Sequence, residues 1–332
     1  RAAAAPAAQP QAVPGDSQHH TAPATLVTGA TGFVGSALVA QLVQGGQRVI
    51  VLTRDVLQAR ASLGPGVWAV DTLDAIPPET RIDAVVQLAG ARVLGMPWTA
   101  TRRRVLLASR VDTTMAVVAL MRRLHQRPRV LVSASAVGFY GASPNASMEP
   151  LDENAPPHPG EFQSDLCAAI EHEARRAEAL GVRVVRLRLG VVLGNGGGAY
   201  PLQALSARLG LGAVLGHGRQ AAPWIHLADA LGLIRFALAR NDVQGPINAV
   251  APDGVSQRGF VQALAASFGQ RVWLTMPAAP LRWALGEMST LLLDGQNVVP
   301  QAALALGYQF VHPDLPGALR DLAGTRTETE AR

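Results

Sequence analysis

Thr25 to Gly35 reads Thr-Leu-Val-Thr-Gly-Ala-Thr-Gly-Phe-Val-Gly, an apolar stretch running straight into glycines at 29, 32 and 35. A helical pattern, Ser36 to Val43, follows at once. Glycines at this spacing, between strand and helix, form a cradle for a pyrophosphate. Gly29 permits a tight turn, Gly32 lets backbone approach phosphate, and Gly35 lets the helix pack against the strand. The helix N-terminus adds free N–H groups and the positive end of its dipole. Thr31 and Phe33, interleaved with the glycines, belong to the same expected cradle.

The end of the second strand bears on which dinucleotide is held. An acidic residue about twenty positions beyond the glycines holds the adenosine ribose hydroxyls of NAD. This chain has Thr53-Arg54-Asp55 there. The Arg54 guanidinium can grip a 2′-phosphate through two N–H groups, which favours NADP(H) over NAD. Asp55 competes, because a shift of one residue puts a carboxylate on the ribose, and an exposed Arg54 without a ligand is the plain alternative.

These residues need a scaffold, and the hydrophobic pattern supplies one. Strands are expected at Thr25 onward, Arg48 to Leu52, Gly66 to Val70, Asp83 to Leu88, Arg129 to Ser133, Val182 to Leu189 and Ile247 to Val250. Helices are expected between them, the longest from about Pro97 to Leu124 and another from Glu161 to Leu180. Short apolar strands alternating with helices imply right-handed crossovers and an α/β fold with a doubly wound parallel sheet, the Rossmann arrangement for NAD(P). The expected division is a leader at 1–23, a nucleotide-binding domain at 24–194 to which 219–250 returns, and a tail at 323–332. A smaller, mainly helical substrate lobe takes 195–218 and 251–322, with one short strand near Arg271 to Thr275.

Composition narrows the function classes. All 29 basic side chains are arginine, and the formal charge is only +5. Aromatics make up 5% of the chain, too few for a surface that interleaves them with cations, so nucleic-acid binding is not expected. Apolar runs are short and broken by Gly, Pro or Arg, so no membrane span is expected. The lone Cys167 excludes a disulfide framework and suits a reducing compartment, the cytoplasm. Residues 1–23, rich in Ala, Pro and Gln, read as a disordered leader or the remnant of an upstream segment. Eight histidines show no His-Glu-x-x-His or Cys-His spacing, so no metal site is expected. Oligomeric state is left open.

The glycine turn, Leu88-Ala89-Gly90 and Ser133-Ala134-Ser135 together resemble the extended short-chain dehydrogenase/reductase superfamily. Trp98, Ser109-Arg110-Val111-Asp112-Thr113-Thr114, Ser133 to Gly141, Trp224 to Asp229, Leu285 to Met288 and Gly295-Gln296 resemble its atypical epimerase group, also labelled sugar-nucleotide epimerases or cell-division inhibitors. The resemblance runs in order from Thr25 to Leu322. It implies an NADP(H)-binding Rossmann fold with a substrate lobe, hydride exchange at the nicotinamide, and Leu88, Ala89 and Gly90 along the cofactor. It also implies a Ser at position 135, past the fifth strand, which can donate a hydrogen bond to a substrate carbonyl oxygen.

The superfamily's Tyr-x-x-x-Lys pair is missing. Counting back from Glu171, Gln163 stands at the tyrosine position and Cys167 at the lysine position, and the chain contains no lysine. A phenol beside an ammonium is what moves the proton near neutrality. Tyr140, the phenol nearest Ser135 in sequence, and Cys167 are the candidate replacements. His226 and Asp229 are expected to lock the nucleotide-binding and substrate parts together. Two functions follow: an oxidoreductase or epimerase acting on a small polar substrate, or a non-catalytic NADP(H)-binding sensor or scaffold.

Overall fold

A computed structural model describes residues 22–64, 66–91, 93, 98–142 and 149–329. The expected leader therefore lies almost wholly outside the described residues. In chain order the strands are β1 (Ala24–Thr28), β2 (Arg48–Leu52), β3 (Val67–Val70), β4 (Ile82–Gln87), β5 (Val130–Ala136), β6 (Arg183–Leu189), β7 (Val191–Leu193), β8 (Ala213–Leu215), β9 (Trp224–His226), β10 (Gly245–Ala249) and β11 (Leu274–Met276). Seven of them form one parallel sheet in the order β10-β6-β5-β4-β1-β2-β3. The helices are α1 (Phe33–Gln44), α2 (Val56–Leu63), α3 (Ala100–Arg123), α4 (Phe162–Arg175), α5 (Tyr200–Arg208), α6 (Leu227–Ala239), α7 (Gln257–Ala266), α8 (Ala278–Leu285), α9 (Thr290–Leu293), α10 (Gln301–Ala305) and α11 (Leu315–Thr329).

The strands are Val, Ile and Leu runs because a parallel sheet is covered on both faces. Side chains alternate along each strand, so neighbours enter different cores. Val27, Val130 and Val132 pack with Leu38, Val39 and Leu42 of α1 and Leu231, Leu233 and Ile234 of α6. Leu26, Val85 and Leu131 pack on the other face with Val117, Val118 and Met121 of α3. The fold is thus the expected doubly wound α/β sheet. Strand order reverses between β1 and β4, which opens a crevice at their carboxyl ends, where such sheets take ligands.

Beyond Leu189 the chain departs from the simple alternation. β7 pairs with β9 and β8 with β11, both in parallel, as three-residue strands too short to leave a readable pattern. β11 lies three residues past where a strand was expected to begin. A third core gathers Leu193, Tyr200, Trp224, Phe260, Leu264, Leu315 and Leu319. The carboxylate of Asp229, at the start of α6, accepts from the backbone N–H groups of Val311 and His312, each at 2.8 Å, and faces the Tyr308 hydroxyl at 3.2 Å. That bond set fastens the C-terminal strap to the sheet-side helix. α11 runs through most of the stretch expected as a tail. Among the described residues no helix is long and apolar enough to cross a membrane.

Candidate functional site

The glycine turn is held by contacts that leave no room for side chains. Gly29 has φ +71°, and a Cβ there would stand 2.7 Å from the Ala89 nitrogen and the Leu88 carbonyl. A Cβ on Gly35 would fall 2.1 Å from the Gly29 carbonyl oxygen. The carboxyl ends of β1 and β4 are stitched together by Leu88 N–H donating to the Thr28 carbonyl at 3.1 Å. Helix α1 then begins with Gly32 as its cap, without a side-chain cap and without an acidic residue in its first turn. Its N–H groups and dipole are left for an anion, so the chain's own residues fit a dinucleotide pyrophosphate. Thr31 is exposed in this turn. Phe33 turns its ring away: Cβ atoms on Gly194, Gly197 and Gly198 would approach it within 2.6, 3.0 and 3.2 Å. Only the Phe33 backbone faces the cradle, and its side chain explains the glycines of the 194–198 loop.

Of Arg54 and Asp55, the second is engaged as a helix cap. Asp55 is the N-cap of α2, its carboxylate accepting from Gln58 N–H at 2.8 Å. The Thr53 hydroxyl is turned onto Asp55 backbone. Arg54 is exposed and has no partner among the described residues, so it alone is free to meet a ligand beyond β2.

A second cluster lies further along the same edge. Ser135 is inside β5 rather than past it, because Ser133, Ala134 and Ser135 pair with Arg186, Leu187 and Arg188 of β6. Its buried hydroxyl faces the Cys167 thiol without a well-aligned hydrogen bond to any described group. Cys167 is a free, buried cysteine whose thiol burial pushes up to about 11, so it is neutral at pH 7. Gln163, on the same helix, is buried with its Oε1 unpartnered. Facing Cys167 from α3 is Arg110, whose Nη1 is buried without a partner; burial lowers its pKa. Its guanidinium lies against Gly90, where a Cβ would stand 2.6 Å from Arg110 Cζ. Sequence reading placed Arg110 only inside a motif, since nothing in the spacing of α3 tells which arginine turns inward.

Tyr140 packs in the same apolar cluster as Cys167, but its hydroxyl is turned to another network. Its hydroxyl donates to Asn248 Oδ1 at 2.6 Å and accepts from Arg188 Nη1 at 2.8 Å. Burial raises its pKa. Both bonds serve a packed network: Arg188 reaches both Glu171 carboxylate oxygens at 2.8 and 2.9 Å and the Glu153 carbonyl at 3.2 Å, with Phe139 under its guanidinium at 3.6 Å. The expectation of Tyr140 as a proton donor meets a phenol whose proton is already committed. The anion that Arg188 meets is thus the chain's own carboxylate, Glu171.

His226, His312 and Asp321 bring ligand atoms within 4.8 Å of one another. His226 Nδ1, however, accepts from Ala228 N–H at 3.1 Å as the cap of α6. The proton of the neutral ring is then on Nε2, where a metal would need a lone pair. A separate cleft of about 860 Å³, lined in part by Arg48, Asp83, Arg129 and Arg235, lies at the amino ends of the strands, opposite the glycine turn.

Comparison with known proteins matches residues 25–250 to the NAD dependent epimerase/dehydratase family and residues 276–322 to a domain of unknown function, DUF1731. Epimerase family protein YfhF of Bacillus subtilis is 35% identical over 304 residues, covering 90% of this chain and 98% of YfhF. Mouse epimerase family protein SDR39U1 is 37% identical over 303 residues, with the same coverage. The crystal structure of human SDR39U1 isoform 2 with NADPH superposes with a TM-score of 0.80 at 35% identity, covering 90% of this chain and 99% of that one.

Proposed function

The chain belongs to the NAD dependent epimerase/dehydratase family, and on that premise we propose that it is an NADP(H)-binding oxidoreductase or epimerase acting on a small polar substrate. The observation that carries this reading is a continuous line of contacts at the carboxyl edge. It runs from the glycine cradle through Leu88 and Ala89 to Gly90 and Arg110, and Arg110 is within electrostatic reach of Cys167, which lies beside the Ser135 hydroxyl. That NADPH accompanies human SDR39U1 in its crystal structure agrees with Arg54 as the grip for a 2′-phosphate.

When bound, the dinucleotide supplies or accepts hydride at its nicotinamide. The chain's own residues do the rest. Gly29, Gly32 and Gly35 admit the pyrophosphate and the N-terminus of α1 neutralises part of its charge. Ser135 Oγ–H donates to a substrate carbonyl oxygen as charge develops there. Cys167, neutral at pH 7, neither accepts nor releases a proton usefully and fills the space where a lysine stands in the superfamily. Gln163 orients the substrate through its unpartnered amide oxygen. Residues 195–218 and 251–322 close the substrate side.

A second reading, a non-catalytic NADP(H)-binding sensor or scaffold, is favoured by one observation: neither Gln163 nor Cys167 titrates near neutrality. The first test is fluorescence titration with NADPH and NADH. The wild type is expected to prefer NADPH, and Arg54→Ala to lose that preference. An unchanged preference in the variant removes Arg54 from the site. With a panel of carbonyl substrates, turnover that falls in Ser135→Ala supports the enzyme, and turnover unaffected by the change excludes Ser135 from the chemistry.

A further inference from the structure

We infer that Arg110 is the anion-binding residue of the substrate site and that the substrate carries a carboxylate beside its reacting carbon. The inference rests on the dinucleotide reading above and deepens it. Arg110 comes from the middle of α3, yet its guanidinium is turned inward against Gly90 and toward Cys167. Among the described residues no acidic side chain faces it; the titratable groups around it are the neutral Cys167 thiol and another cation, Arg102. Its Nη1 is buried and makes no hydrogen bond. A guanidinium cannot shed its charge at any physiological pH, so burying its Nη1 without a partner is costly unless an anion completes it.

The neighbours say which anion. Ser135 Oγ and Gln163 Oε1 are also buried and unpartnered, so one cation, one hydroxyl and one amide oxygen await ligand atoms on the same edge. A carbonyl oxygen suits Ser135, and a carboxylate two bonds away suits the planar fork of Arg110, as in a 2-oxo or 2-hydroxy acid. The cradle, already built from Gly29, Gly32, Gly35 and the α1 N-terminus, satisfies the dinucleotide phosphates without Arg110. The missing lysine is thereby answered in part: a cation is present at this place, delivered by a different helix and fixed in charge.

The test uses the full chain saturated with NADPH and titrates it calorimetrically with oxamate, a carboxylate beside an amide carbonyl, and with oxamide, its uncharged isostere. Oxamate is expected to bind saturably and oxamide at least about tenfold more weakly. Arg110→Gln should weaken oxamate by about tenfold to a hundredfold, while NADPH affinity stays within about threefold of wild type. Arg110→Met serves if the Gln variant does not fold, and the oxamate-to-oxamide ratio of the wild type decides if neither folds. Equal binding of the two probes, or oxamate affinity unchanged in the variant, overturns the inference. NADPH affinity lost in the variant overturns it too, by assigning the guanidinium to the dinucleotide. Failure of the wild type to bind NADPH at all would instead strike the reading beneath it.

Discussion

Arg188 of β6, buried, and Arg110 of α3, half-buried, differ in everything but residue type. Arg188 is saturated: two bonds to Glu171, one to the Tyr140 hydroxyl, one to the Glu153 carbonyl and an aromatic face beneath. Arg110 is half-buried with its Nη1 unpartnered, and Ser135 Oγ and Gln163 Oε1 are unpartnered too. Buried polar groups in folded proteins are almost always satisfied, and several that are not, gathered on one edge, fit a ligand. The first network holds β6, α4 and the 153 region together; the second is where a substrate fits. A saturated network and an orphaned one on a single edge separate what the fold needs from what the function needs.

The widest gap should come from breaking the saturated network. Glu171→Gln leaves Arg188 buried opposite a neutral amide, and chemical denaturation should show a loss of about 3–5 kcal/mol. A loss below about 1 kcal/mol would mean that the network is not structural and the comparison fails.

A third basic group extends the contrast to pH. Burial and the neighbouring His312 lower the His226 pKa from 6.5 to about 4. The unfolded chain therefore takes up a proton between those values that the folded chain refuses, and stability falls as pH drops from about 6.5 to about 4. The loss is about 3 kcal/mol at full extent. Thermal melts across that range should show it, and His226→Asn, which keeps the α6 cap, should flatten the slope. An identical slope in the variant assigns the acid sensitivity elsewhere.

Smaller again is the cofactor term. Arg54→Ala should cost NADPH affinity about tenfold, near 1.4 kcal/mol, with NADH unaffected. Smallest is stability in Arg110→Gln, which removes a half-buried charge whose Nη1 has no partner and should leave the denaturation midpoint unchanged or slightly raised, within about 1 kcal/mol. A loss as large as that of Glu171→Gln would erase the distinction between the two arginines.

Much of the scaffold was legible because its signals are local. β2 falls on its expected residues, and the glycine turn leads from strand to helix as its spacing requires. Signals that depend on tertiary pairing were not. β5 extends through Ser135 only because β6 pairs with it there, and the long helix expected to Leu180 ends at Arg175, passing into a single turn before Gly181 at φ +78°. At the site, Ser135 and Cys167 do meet, as their positions in the superfamily pattern suggested. Tyr140 packs in one cluster with Cys167, but its hydroxyl bonds Asn248 of β10, which closeness in sequence to Ser135 does not reveal. Arg110 was invisible for the opposite reason: α3 is rich in arginines, and its periodicity does not single out the one beneath Gly90.

The central claim is that the orphaned groups at the carboxyl edge surround the reactive end of a bound dinucleotide. A crystal structure of the chain with NADPH tests it most directly. The account expects the pyrophosphate on the N-terminus of α1 and the nicotinamide C4 facing an open polar space, with Ser135 Oγ about 3–4 Å from where a reacting carbonyl would sit. A C4 face sealed by apolar side chains, with Ser135 and Arg110 remote from the ring, would contradict it.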